Sequence, residues 1–197
     1  RQELMTSASS GLPVMAVVLE GPGKMEEGRF IGTGAGLVKL RARQAGNNEY
    51  AATEKSFQIL VGKGSQVITW QDVNPKVYGD EPFNVSASAS SGLPVSYEVA
   101  SGSAIIDGTL VTLTGGGTVV LRAIQAGNDD LLGAEAEKVI EVRKAEQTIT
   151  FGYMAARTFT TDPIQLEASA SSGLSVSYEV MKGPATVFGD CLLYTSD

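Results

Sequence analysis

The chain has 197 residues and a formal net charge of −7, with 15 basic residues, 22 acidic residues and no histidine. No basic stripe is present to neutralise phosphates, so the composition argues against nucleic acid and against an anionic membrane surface as partners. The longest apolar runs are far shorter than the roughly 18 residues that cross a bilayer, so no membrane insertion is expected.

One octapeptide motif occurs three times along the chain. Residues 7–14 and 88–95 read SASSGLPV, and residues 169–176 read SASSGLSV. The glycines of the three octapeptides, Gly11, Gly92 and Gly173, are separated by 81 residues and then by 81 again. Self-similarity at a fixed period predicts tandem structural units.

Three copies of the unit follow from this period. Residues 1–63 are predicted to be a copy that lacks its first strand, and residues 64–144 a complete copy. Residues 145–190 are predicted to be a truncated third copy. They have no counterpart of residues 118–143, and the loss of those strands predicts poor order, because a sheet edge is left bare. We refer to these segments as the first, second and third copies.

Apolar and polar residues alternate in the second copy, which predicts about seven short strands and no helix. The predicted strands cover residues 66–70, 83–89, 95–100, 104–106, 109–113, 118–126 and 136–143. Residues 73–82 are expected to form a loop or edge crossing, and Asp107-Gly108 a hairpin turn. Inward-facing positions are Phe83, Val85, Ala87 and Ala89 of one strand, Tyr97 and Val99 of another, and Val119, Leu121 and Ala123 of a third. The pattern favours an all-β fold of tandem immunoglobulin-like β-sandwiches, with a single closed barrel as the alternative.

The spacers between copies are very short. Residues 62–66 join the first copy to the second, and residues 143–147 join the second to the third. About five residues cannot act as a free coil, so neighbouring copies are expected to stack end to end as an extended rod.

The last seven residues, 191–197, are interpreted as falling out of step with the repeat. They resemble the translated adapter tails at the ends of some metagenomic reading frames, so we predict a non-native tail. Cys191, the single cysteine of the chain, would then have no functional meaning. The copies themselves contain no cysteine, which excludes a disulfide framework within them.

With these motifs in view, the chain resembles a known family. Gln147–Phe151 opens a copy, Tyr78–Phe83 follows an equivalent opening, and the Ser-Gly-Leu-Pro-Val turn and Gln-Ala-Gly-Asn loop come next. Together they are similar to the bacterial immunoglobulin-like repeats of large secreted and cell-surface proteins, the mostly bacterial Ig-like group. The resemblance covers nearly all of residues 1–190. It implies an extracellular or cell-surface location in bacteria and a spacer or adhesive stalk without catalytic residues.

Candidate sites were each weighed against a structural interpretation. The serines of the SASSGLPV turn are not expected to act as nucleophiles, because the chain has no histidine base. The glycine-rich residues 114–118 lack the lysine and helix of a phosphate-binding loop. Asn128, Asp129 and Asp130, with Asp72 and Asp80, suggest calcium, but a solvated loop is the favoured interpretation. Five aromatic residues resemble a sugar-stacking platform, although their spacing favours core packing: Trp70, Phe83, Tyr97, Phe151 and Tyr178.

No catalytic, cofactor or metal site is therefore predicted, and we do not expect an enzyme. The favoured function is a structural spacer whose partners are neighbouring copies in the same chain. The alternative is an adhesin or carbohydrate-binding module that contacts host or glycan ligands through residues 72–81 and 127–133.

Overall fold

A computed structural model of the chain describes residues 2–3, 6–155 and 162–195. The protein is all-β and sandwich-like, and the described residues contain no helix. It divides into two compact units, residues 1–144 and residues 145–197.

The first copy contains six strands in two antiparallel sheets. They are β1 (Gln2–Glu3), β2 (Met15–Glu20), β3 (Gly23–Glu26), β4 (Arg29–Gly32), β5 (Gly36–Gln44) and β6 (Thr53–Val61). One sheet has the order β1-β4-β3 and the other the order β2-β5-β6. Leu4, which lies 81 residues before Val85, is outside the described residues.

The second copy contains nine strands. They are β7 (Ile68–Trp70), β8 (Lys76–Val77), β9 (Phe83–Asn84), β10 (Ala87–Ala89), β11 (Ser96–Ser101), β12 (Ala104–Asp107), β13 (Leu110–Leu113), β14 (Gly117–Gln125) and β15 (Ala134–Arg143). Three sheets result, with orders β11-β14-β15-β8, β12-β13-β9 and β10-β7. Four strands of this copy, β11 to β14, begin 81 residues after β2 to β5 and have the same lengths.

The second unit contains the third copy. Its strands are β16 (Ile149–Phe151), β17 (Ile164–Gln165), β18 (Ala168–Ala170), β19 (Ala185–Phe188) and β20 (Cys191–Tyr194). They form a two-stranded sheet, β16-β18, and a three-stranded sheet, β17-β20-β19.

The core of the second copy lies between two facing sheets. Val119 and Leu121 of β14 and Val111 of β13 are completely buried, and Ile140 and Val142 of β15 join them. Ala123 is also fully buried, so the predicted inward-facing positions of this strand are confirmed. Each such valine or leucine contributes about 1.5–3 kcal/mol on burial.

The first copy has a smaller buried core. Its buried apolar residues are Phe30, Val38 and Leu40, and partly buried side chains such as Phe57 and Ile59 pack around them. Ala42, which corresponds to the fully buried Ala123, is only partly buried. Less apolar area is therefore removed from water in the first copy than in the second.

Two predicted elements of the second copy differ from the structure. Residues 83–89 do place Phe83, Val85, Ala87 and Ala89 on the inner side, but not as one strand. Between β9 and β10 the chain passes from one sheet to another: Val85 N donates to Thr109 O, whereas Ser86 O accepts from Gln71 N. Residues 73–82, predicted as a loop or edge crossing, contain β8, which pairs in parallel with β15. The hairpin predicted at Asp107-Gly108 is confirmed, with β12 and β13 as its arms.

The interpretation that residues 191–197 are out of step with the repeat is wrong for residues 191–194. They form β20, which pairs with β19 and β17, and Ile164 lies opposite Leu192. This is the register of Phe83 opposite Val111 in the second copy, displaced by 81 residues. Whether the segment belongs to the natural reading frame stays a prediction, and residues 196–197 are outside the described residues.

Among the described residues of the third copy, the segment equivalent to β11 is not a strand. Residues 177–182 correspond to β11 but form no strand. In the second copy, β11 hydrogen-bonds to β14. In the described part of the third copy, no strand pairs with residues 177–182.

The hairpin turn of the first copy contains a non-glycine residue in a left-handed conformation. Glu27 has φ +49°, whereas the equivalent positions of the other copies are Gly108 (φ +58°) and Gly189 (φ +63°). Left-handed backbone costs a residue with a Cβ roughly 1–2 kcal/mol.

Glu27→Gly is expected to stabilise the first copy by about 0.5–1 kcal/mol, because the relief of strain exceeds the added entropy of the unfolded chain. Native-state hydrogen exchange at the β5 amides measures the change. Glu26→Gly, one residue earlier in β3, is the matched control and should destabilise by about 0.5–1 kcal/mol. Equal losses in both variants would contradict the strain argument.

Candidate functional site

The three recurring motifs of the sequence meet at one end of the second copy. Gln66 comes from the opening segment, Ser91 from the SASSGLPV turn and Gln125 from the Gln-Ala-Gly-Asn loop. Gln66 and Gln125 are 8% and 7% exposed, so two neutral amides are buried at this end of the sandwich. We call these three side chains the glutamine clasp.

The side chains of the glutamine clasp are hydrogen-bonded to one another and to nearby backbone groups. Gln66 Nε2 donates to Gln125 Oε1 and, at 2.8 Å, to the carbonyl oxygen of Leu132. Ser91 Oγ donates to Gln66 Oε1 at 2.5 Å. Gln125 Oε1 also accepts from Gly127 N at 2.6 Å. The amide of Gln66 thus joins the start of the copy to its turn and to its last loop.

Parts of this arrangement recur in the other copies. In the third copy, Ser172 Oγ donates to Gln147 Oε1. In the first copy, Gln44 Oε1 accepts from Gly46 N at 2.7 Å, and Gln44 is 6% exposed. A buried polar group must be hydrogen-bonded to be tolerated, which accounts for the bonds of Gln44, Gln66 and Gln125, whereas the Ser172–Gln147 bond is exposed.

The chemistry of the glutamine clasp is structural. Amides and an aliphatic hydroxyl do not ionise at ordinary pH, so these three groups offer no general base. The turn serines use their hydroxyls in the same way, since Ser90 Oγ accepts from Val67 N at 3.1 Å. Gly92 has φ +74°, a left-handed conformation that glycine adopts readily in a turn. The turn is a connection between strands and not a nucleophile elbow.

The aromatic residues of the second copy lie against its core. Trp70, Phe83 and Tyr97 are partly buried and pack on the core cluster, as predicted. The ring centroids of Trp70 and Tyr97 are 5.5 Å apart. Trp70 Nε1 donates to Ala136 O at 3.1 Å, and Tyr97 Oη accepts from Ala87 N at 2.7 Å. Their polar atoms are therefore occupied within the fold.

The equivalent aromatic pair in the third copy is more exposed to solvent. Phe151 and Tyr178 have centroids 6.0 Å apart, and Tyr178 Oη accepts from Ala168 N at 2.9 Å. Phe151 is nevertheless 51% exposed, unlike the partly buried Trp70.

The residues considered for calcium are engaged in separate contacts. Asn128 Oδ1 accepts from the amides of Asp130 and Leu131, both at 2.9 Å. Asp72 lies 3.2 Å from Lys138 Nζ, and Asp80 Oδ2 accepts from Val77 N at 3.0 Å. Across residues 2–3, 6–155 and 162–195, no three acidic or cysteine side chains are grouped to hold a metal ion.

An ion-pair cluster lies on the outer face of the four-stranded sheet. Arg122 contacts Glu137 at 2.9 Å, Glu98 at 3.2 Å and Glu135 at 3.8 Å. The hydrogen bond to Glu137 raises the pKa of Arg122, assisted by the charges of all three carboxylates against partial desolvation. Arg122 neutralises part of the negative charge of the second copy, although ion pairs this exposed contribute little to the free energy of unfolding.

Comparison with known proteins adds no family assignment: no protein-family model matches the chain, and no curated protein matches it. Within the part of the chain that the structure describes, no helix has the length and apolar character to span a membrane. The motif positions could be found from the sequence, but their convergence on two glutamines was missed. The available signal was that polar residues, and not only turn glycines, recur at the 81-residue offset.

Gln125→Ala is expected to destabilise the second copy by about 1–3 kcal/mol, because Gly127 N and one Gln66 donor lose a buried acceptor. Trp70 is the only tryptophan of the chain, so urea unfolding followed by its fluorescence reports on this copy. The matched control is Gln44→Ala in the first copy, which should leave the Trp70 transition unchanged. A shift of equal size in both variants would contradict the local role of the clasp.

The reactivity of Cys191 tests the placement of this residue in β20. Burial raises the pKa of its thiol, and the neighbouring Asp190 raises it further. The thiolate is the reactive form, so alkylation by iodoacetamide should be slower than for an unfolded cysteine. The alkylation rate should rise with pH through a midpoint above the usual thiol pKa of about 8.5. The same chain in 6 M guanidinium is the control, and a lower midpoint in the folded chain would contradict the placement of Cys191 in β20.

Proposed function

We propose that the chain is a structural spacer: immunoglobulin-like repeats stacked as a stalk in a bacterial extracellular or cell-surface protein. The family resemblance of the motifs supports the bacterial surface context by association. The physical support comes from one observation, the set of contacts where the first copy meets the second.

The residues that join these copies are hydrogen-bonded to a loop of the second copy. Gly64 N donates to Asp130 O, and Leu132 N donates to Gly64 O, both at 2.8 Å. Lys63 Nζ donates to Asn128 O at 2.6 Å. A spacer of about five residues already restricts bending, and these bonds hold it to the second copy. These bonds favour a spacer with limited bending.

A further contact connects the body of the first copy to the same loop. Asp130 Oδ1 accepts from Ala35 N at 2.7 Å, in the glycine-rich connection between β4 and β5. A hydrogen bond to a carboxylate is stronger than one between neutral groups. We refer to the Ala35–Asp130 bond, with the linker bonds, as the repeat joint.

The repeat joint also bears on the alternative function. Residues 127–133 were one of the two loops considered for ligand binding, but Asn128 and Asp130 contact the first copy or the linker. A loop used in this way offers fewer free groups to a glycan. This favours the spacer over the adhesin or carbohydrate-binding module. Screening the full chain on a glycan array separates the two, because specific binding would support the alternative.

Asp130→Ala is expected to loosen the repeat joint. Loss of a bond of about 1 kcal/mol should raise the exchange rate of the Ala35 amide about fivefold. ¹⁵N relaxation should show that the first and second copies tumble more independently of each other than in the unaltered chain. Asp129→Ala removes the same charge from the same loop and serves as the control. If both variants leave the Ala35 amide and the tumbling unchanged, the joint does not restrict bending and the spacer proposal loses its physical support.

A further inference from the structure

The outer face of one sheet in the first copy exposes apolar side chains to water. The β2-β5-β6 sheet turns Val38 and Leu40 toward the core, so the positions that alternate with them point outward. A sheet face in contact with water normally carries polar residues. This face carries four exposed large apolar side chains, of which the first and last are 73% and 75% exposed: Met15, Val17, Leu37 and Leu60. An exposed apolar patch of this kind indicates a surface that binds a partner.

Basic side chains lie along the middle strand of the same face. Lys39, Arg41 and Arg43 are the outward positions of β5. In the antiparallel ladder, Arg43 lies opposite Met15 and Arg41 lies opposite Val17. Apolar and basic groups therefore alternate across the strands. We call these four apolar and three basic side chains the basic face.

The equivalent face of the second copy is acidic. Glu98 on β11 and Glu135, Glu137 and Glu141 on β15 are exposed beside Arg122 on β14. We call these five side chains the acidic face. The copies as a whole differ in the same sense, because residues 1–63 contain 8 basic and 6 acidic residues and residues 64–144 contain 5 and 10. One chain thus presents two sheet faces of opposite charge.

The two faces differ at matching strand positions. At three of the four glutamate positions of the acidic face, the first copy has an uncharged residue: Val17 for Glu98, Ser56 for Glu137 and Leu60 for Glu141. At two outward positions of β14 that are apolar, the first copy has a basic residue: Lys39 for Val120 and Arg43 for Ile124. The strand framework is the same, and the chemistry of the two faces is complementary.

Arg41 has fewer partners than its equivalent in the second copy. Arg122 contacts Glu137 at 2.9 Å and Glu98 at 3.2 Å. Among the described residues, Arg41 pairs with Glu54 at 3.9 Å, too long for a hydrogen bond, and its buried Nε has no hydrogen-bond partner. A guanidinium has five N–H donors, so Arg41 retains donors for a carboxylate from outside the copy.

We propose that the basic face binds the acidic face of another molecule of this chain, so that the first copy of one molecule packs on the second copy of its neighbour. Face-to-face packing is the ordinary way in which two sheets meet. The apolar side chains of the basic face, with the exposed Val139 between Glu137 and Glu141, would leave water in this contact. Opposite charges select this pairing, and like charges oppose the packing of two basic faces. The contact goes beyond the spacer function and does not depend on the repeat joint.

The size of the basic face sets the strength of the contact. Nine residues of β5 span about 30 Å and three strands span about 14 Å, so each partner contributes roughly 400 Å². Interfaces of this size are at the lower limit for specific complexes and are typical of transient contacts. We therefore expect weak, reversible association, which matters when many such chains are held side by side.

Sedimentation equilibrium of the full chain, from micromolar to about 1 mM, tests the proposal at the concentrations that a small interface requires. The expected result is an average mass that rises above that of the monomer with concentration. Val17→Glu introduces into the basic face the residue that the second copy has at this position, so the fold should accept it. It should weaken association about tenfold or more, because a like charge then faces the glutamates. Asn48→Glu, in an exposed loop of the same copy, makes the same change of charge and should have no effect.

A charge reversal on the acidic face identifies the partner surface. Glu135→Lys combined with Glu141→Lys should weaken association to a similar degree, since both side chains are exposed. The Val17→Glu chain keeps its acidic face, and the doubly substituted chain keeps its basic face. An equimolar mixture of these two variants should therefore form a 1:1 complex, although neither associates by itself.

Folding of the variants is checked separately. Urea unfolding followed by Trp70 fluorescence reports on the second copy of the doubly substituted chain. Ser56→Glu also introduces a glutamate of the second copy into the basic face, so it serves as the test if Val17→Glu unfolds the first copy.

Four results would overturn the proposal. The first is a chain that remains monomeric at about 1 mM. The second is association that Val17→Glu abolishes and the acidic-face substitutions leave unchanged, which would mean that two basic faces pair. The third is a mixture of the variants that does not associate. The fourth is a monomeric chain that is retained on heparin and released earlier as Val17→Glu, which would make an anionic polysaccharide the ligand of the basic face.

Discussion

A strand is formed only when the backbone N–H and C=O groups along its edge find partners, and this requirement governs the structure of the whole chain. Residues 87–89 and residues 6–8 have closely related sequences, but only the former lie beside an opening strand and form a strand themselves. Residues 96–101 form β11 against β14, whereas the related residues 177–182 form none. The local sequence determines which residues can form a strand. Whether they do so depends on a second segment lying beside them to pair with.

The same requirement determines how much core each copy buries. In the second copy, the long β14–β15 pair and the β13 sheet enclose five aliphatic side chains that are nearly or wholly inaccessible. The opening strand closes one end through Gln66, whose amide joins three separate segments. The core described in the first copy is smaller. Burial, pairing and the polar contacts at the strand ends therefore depend on one another.

Much of this architecture could be predicted from the sequence. The alternation of apolar and polar residues predicted the inward faces of β11 and β14, and Asp107-Gly108 predicted a hairpin. Both signals depend only on residues that are close together in the chain. The break between β9 and β10 could not be found in this way, since alternation continues unchanged while the strand passes to another sheet. The parallel strand β8 was missed because a polar segment with two nearby prolines gives the signal of a loop.

The candidate site illustrates the same limit. Gln66 and Gln125 are 59 residues apart, and no local pattern indicates that they share a hydrogen bond. The interpretation that residues 191–194 are out of step with the repeat was wrong for a related reason. Their side chains do not resemble those of residues 110–116, but the backbone register of β20 is set by β17 and β19 and tolerates the change.

The repeat joint has a consequence for how such a chain can vary. Its donor in the first copy is the main-chain amide of Ala35, which every residue except proline provides. A Cβ at Gly34 would lie 2.6 Å from the carboxylate of Asp130, so that neighbouring position admits only a residue without a side chain. The Ala35–Asp130 bond of the repeat joint thus depends on one aspartate and on a glycine beside its donor. The residues on the surfaces around these two positions can change without loss of the Ala35–Asp130 bond.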